Sequence, residues 1–134
     1  MVMGITSVLV GMALFLSMDF SRGYSFNYEE NLLVGALQRA RSQAMANVSQ
    51  AKHGVCVIGT NYVISEGDTC TSGDTFPMAP SMTVAWSGGA SAAAIFNQVD
   101  GTCVTCSPGP LKITLAGQGK TASISINAEG QINW

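Results

Sequence analysis

The sequence predicts an α+β fold: one long N-terminal α-helix, apolar and then amphipathic, packed on an antiparallel β-sheet meander. Three observations lead there. No charge occurs from Met1 to Met18, apolar residues then recur at steps of three and four from Asn27 towards Lys52, and after Gly54 the period becomes two. The 134 residues amount to one domain's length, with 10% charged against 47% apolar residues and a mean hydropathy of +0.29. That is less charge than a water-facing surface ordinarily carries, so something other than water is expected to cover part of it. Six Lys+Arg against eight Asp+Glu leave a formal charge of -2, which argues against the basic surface of a nucleic-acid binder. The apolar content excludes disorder, because such a chain can bury enough surface to offset its ordering entropy.

Residues 1–26 are expected to be the apolar half of the helix, a transmembrane or filament-core segment. Eighteen uncharged residues at about 1.5 Å rise give about 27 Å, close to a bilayer's hydrocarbon thickness. The side chains expected to be buried in lipid or in a fibre are Ile5, Val8, Leu9, Val10, Met12, Leu14, Phe15 and Leu16. A cleaved signal peptide would need a basic start, and here the first cation is Arg22. Residues 27–53 continue as the amphipathic half, with Leu33, Leu37, Ala40, Ala44 and Val48 on the stripe that should face the sheet. Glu29 and Glu30 at its start and Lys52 and His53 near its end follow the charge order a helix dipole favours, and Gly54 is the expected stop. Asn47, Val48 and Ser49 spell a glycosylation sequon, which this reading discounts because it places them on the helix.

Residues 54–134 read as an antiparallel globular domain. HGVCVI and YVIS around Gly59 predict a hairpin, with Val55 and Val57 on one face and Cys56 and Ile58 on the other. Glu66 to Pro80 reads as a polar loop. Met82–Trp86 and Ala93–Gln98 read as strands separated by Gly88, Gly89 and Ser91. Leu111–Leu115, Thr121–Ile126 and a closing QINW complete the meander, with turns at Gly117–Gly119 and Gly130.

The order of these segments resembles type IV pilins and type II secretion pseudopilins. VMGITSVLVGMALF is similar to the part of the prepilin helix just after its cleavage motif. LLVGALQRARSQAMAN followed by a Val-Cys-Val strand resembles the helix end of GspH/FimT-type minor pilins, and ISINAEGQINW resembles that group's closing hairpin. The resemblance implies a structural subunit rather than an enzyme, without cofactor. It would be cut by prepilin peptidase, held single-pass in the inner membrane with its globular domain outside the cytoplasm, and then assembled with other pilin subunits into a cell-surface or periplasmic filament. The family's glycine, aromatic and glutamate signature would precede the apolar run, so this chain is expected to enter that run midway. Its four prolines, Pro77, Pro80, Pro108 and Pro110, all lie in the sheet region, and Gly11 and Gly23 are expected to replace the family's helix proline as points of flexibility. The alternative is a tip-located binding module for DNA uptake or adhesion; a membrane-tethered enzyme is the third reading. Lys112 and Lys120 are the only cations after Lys52, which speaks against a phosphate-tracking stripe.

Cys56, Cys70, Cys103 and Cys106 are an even set in a small domain, read first as disulfides. Three pairings are open, and the local ones, Cys56 with Cys70 and Cys103 with Cys106, are expected. A zinc set of His53, Cys56, Cys103 and Cys106 is the sharper alternative, but it strands Cys70. Redox catalysis at CVTC would need a helix N-terminus, which Ser107, Pro108, Gly109 and Pro110 oppose. His53 is read as a polar edge residue rather than a base, and no nucleophile elbow, phosphate-cradling glycine loop or calcium loop is present.

Overall fold

In the computed structural model, the backbone of residues 2–134 is described, together with all their side chains except those of 2–7, 9, 14–17 and 19–20. Helix α1 runs Val2–Met45 and a 3-10 turn follows at Val48–Gln50. Eight strands come next: β1 His53–Ile58, β2 Asn61–Glu66, β3 Gly73–Pro77, β4 Met82–Ser87, β5 Ala93–Phe96, β6 Leu111–Gly117, β7 Lys120–Ile126 and β8 Ile132–Asn133. They form two four-stranded sheets of order β3-β2-β1-β5 and β4-β6-β7-β8, with every pairing antiparallel.

The expected architecture, a long helix packed along one meander, is therefore corrected. The body is mainly β, in two sheets, and among the described side chains of α1 burial runs from Phe26 to Ala44. The physical reason lies in β4 and β5. Along β4, Met82, Val84 and Trp86 alternate with exposed Thr83, Ala85 and Ser87, as in a strand with one wet face. All four residues of β5 are buried, so it needs cover on both faces and cannot lie beside β4. It crosses back to pair with β1, and β4 pairs with β6 instead.

One core serves helix and sheets. Leu33, Leu37, Ala40 and Ala44 of α1 meet Val55, Tyr62, Ile64, Ala94 and Phe96 of the first sheet and Leu111, Ile113, Ile124 and Ile126 of the second. Alanines at 40 and 44 let the helix backbone approach β1 and β5 closely. The far face of the first sheet carries its own cluster, Cys56, Val63, Ala93 and Ile95, covered by Cys70. Val55 and Cys56 thus face opposite ways as expected, and the β1–β2 hairpin closes through Gly59 at φ 62, a left-handed position suited to glycine.

Two further expectations change. The helix does not reach His53: it ends at Met45, Asn47 turns left-handed at φ 53, and Val48, expected on the packed face, is 41% exposed. The last turn is tied off by tertiary partners, with the Val99 amide donating to the Ala44 carbonyl at 3.0 Å and Gln98 Nε2 to Asn47 Oδ1 at 3.2 Å. Gly54 lies inside β1 rather than ending a helix, and a Cβ there would press on the Ala94 carbonyl of β5. The polar stretch from Glu66 also contains β3, an edge strand whose residues are mostly exposed and whose order comes from pairing with β2 rather than from apolar alternation.

Among the described residues no helix is long and apolar enough to cross a membrane, so the expectation of a single-pass inner-membrane protein is withdrawn. The uncharged run closes at Met18, with Asp19 and Arg22 just beyond it.

Candidate functional site

Along the first half of α1, the described apolar side chains find no cover. Val8 and Val10 are each 61% exposed, Met12 64% and Met18 58%; Ile5, Leu9, Leu14, Phe15 and Leu16 lie outside the described side chains. Among the described side chains, Val8, Val10, Met12 and Met18 are therefore apolar surface open to water. Further along, Tyr24 and Tyr28 are also exposed one turn apart, and Phe26, the first buried side chain among those described, joins Met82 and Leu115 in a small cluster.

The cysteines form Cys56–Cys70 and Cys103–Cys106, with Cα separations of 6.3 and 5.3 Å, and none is free. The first ties β1 to the loop before β3. The second folds the segment after β5, where Cys103 also bridges to Phe96 and its amide donates to the Ala128 carbonyl at 2.9 Å. The alternative zinc set is not brought together as ligands, since its three thiols are spent in two different bonds. His53 is 2% exposed, and its Nε2 lies 3.0 Å from the Val48 carbonyl. Among the described residues no group of three His, Cys, Asp or Glu is placed to hold a metal.

A polar cleft of about 390 Å³ opens between the helix end and the β2–β3 edge, lined by Gln43, His53, Glu66, Ser72 and Asp74. Its carboxylates are already engaged: Glu66 accepts from the Ser49 hydroxyl at 3.1 Å and Asp74 pairs with Arg39 at 2.8 Å. Next to this cleft, Leu32, Gly35 and Ala36 of α1 face Phe76 across a smaller groove of about 220 Å³, with the Arg39 guanidinium 5.9 Å from the Phe76 ring centre.

Sequence reasoning missed one buried polar pair. Glu29, expected in the first turn of a helix, is mid-helix and 3% exposed, and its Oε1 accepts the Ala79 amide at 2.9 Å, pinning the β3–β4 connection to α1. Its Oε2 and the Tyr62 hydroxyl are both shut off from water without a hydrogen-bond partner among the described residues. Burial first, and then the nearby Glu29 charge, raise the Tyr62 hydroxyl well above its ordinary value. No periodic signal marks Glu29, because a charged residue on a buried stripe reads as a solvated one.

Comparison of the chain with models of known families, with curated proteins and with solved structures returns no match.

Proposed function

We propose that this chain is a structural subunit, a pilin or minor pilin-like component of a type IV pilus or type II secretion-like filament, assembling through the apolar first half of α1. The observation that carries the reading is the exposure of Val8, Val10, Met12 and Met18 on a helix continuous with one that is packed from Phe26 onward. The sequence resemblance supplies the occupant: the same segment of neighbouring subunits. A few hundred Å² of such surface, at about 25 cal/mol per Å², favours each contact by roughly 5–10 kcal/mol before the costs of association. No enzyme chemistry is needed for that. A DNA-capturing tip module has less to stand on, because Arg39 and Lys52 are already paired with Asp74 and Asp68.

The test is a Val8→Asp, Met12→Asp double variant of the natural full-length protein, followed by quantifying it in sheared filament fractions. At least tenfold less incorporation is expected, with both disulfides still formed. Equal incorporation would overturn the reading.

A further inference from the structure

We propose that Asn47 is an acceptor for an N-linked glycan. Asn47, Val48 and Ser49 form the sequon, and what would disqualify it is a helical setting, since residues two apart on an α-helix face different ways and cannot be presented together. The chain does not put it there. α1 stops at Met45, Asn47 stands at φ 53, and Val48–Gln50 is a 3-10 turn that buries no side chain.

All three sequon residues are exposed. Asn47 Oδ1 accepts from Gln98 Nε2 at 3.2 Å, while its Nδ2, the atom that would carry the sugar, has no partner among the described residues. The Ser49 hydroxyl donates only to Glu66 Oε1 at the surface, at 3.1 Å. Asn47, Ser49 and Gln50 are all non-glycine residues at positive φ, and the turn is held outward by Gln98 on Asn47, Glu66 on Ser49 and His53 at the Val48 carbonyl. The two disulfides agree with an oxidising compartment, outside the cytoplasm, which is where such transfer is carried out.

The donor is a sugar activated as a glycosyl diphosphate. A bond forms between Asn47 Nδ2 and the sugar's anomeric carbon. The bond from that carbon to the diphosphate oxygen breaks, the diphosphate leaves with the electron pair, and the Nδ2 proton passes to a base of the transferring enzyme. The Ser49 hydroxyl is a positioning group for that enzyme.

The experiment uses the protein purified from its own cells. After trypsin, the 42–52 peptide should carry a sugar mass, and an amidase that releases N-linked glycans should remove it while converting that asparagine to aspartate. Asn47→Gln and Ser49→Ala should each abolish the adduct, whereas Ser49→Thr keeps it. Intact disulfides in each variant, read from the unreduced mass, show that the fold is retained. An unmodified peptide from the natural source, or an adduct that survives Asn47→Gln, would overturn the proposal.

Discussion

Glu29 and Tyr62 show how much one buried pair decides. Glu29→Ala leaves the Ala79 amide without its acceptor and is expected to cost about 2 kcal/mol by urea denaturation. Glu29→Gln keeps an oxygen for that amide and removes a buried charge near the Tyr62 hydroxyl, so its midpoint should equal or exceed that of the parent. Tyr62 also sets an alkaline limit. Its hydroxyl is raised in the folded state, so the neutral phenol is favoured there; this contribution is whole below about pH 10, where an unfolded tyrosine begins to ionise, and is lost as pH rises further. Melting temperatures from pH 9 to 12 should therefore fall more steeply for the parent than for Tyr62→Phe. Parallel curves would show that the phenol does not carry this dependence.

Among the elements, the loop staples and the β1–β5 contact carry the most weight. Cys56–Cys70 spans a sequence separation of 14, and in the chain-entropy model closing a loop of that size is worth about 3 kcal/mol. Cys103–Cys106 spans only 3, which the same relation puts near 2 kcal/mol. The Cys56→Ser, Cys70→Ser pair should thus lower the denaturation midpoint more than the Cys103→Ser, Cys106→Ser pair. Gly54→Val should be worse than its strand propensity suggests, because the new side chain meets the β5 backbone and the Ile95 side chain. Loss of β5 protection in hydrogen exchange would reveal it. The hairpins β1–β2 and β6–β7 were legible beforehand because alternation and a glycine turn coincide in each. β3 was not, because an edge strand with both faces near water needs no apolar period.

At the scale of the molecule, a sheet body closed by two disulfides is joined to a helix segment whose described apolar side chains, Val8, Val10, Met12 and Met18, are exposed. The unreduced protein should weigh about 4 Da less than its reduced form, since each of two disulfides replaces two S–H groups with one S–S bond. Zinc should not change that mass or bind stoichiometrically, and thiols that titrate with zinc would reopen the His53 set. Deleting residues 1–22 should leave the body folded with both bridges, because the first buried side chain among those described is Phe26. On the filament reading proposed above, the same deletion should abolish assembly, readable by sedimentation.

By itself the sequence determined the local features: an uncharged opening run, the buried stripe Leu33, Leu37, Ala40 and Ala44, the strand pattern of Val55 to Ile58 and the glycine turns, while the choice among three disulfide pairings was left to the folded chain. Each depends on spacing within a few residues, and such spacing is written along the chain. Tertiary structure decided where the helix ends, that β5 leaves β4 for β1, that Glu29 is buried, and that Asn47 lies on an exposed turn. Those outcomes are set by partners far away in sequence: the Val99 amide on the helix end, cover on both faces of β5, and the Ala79 amide on Glu29. A residue's neighbours along the chain cannot report a contact that only the folded chain creates.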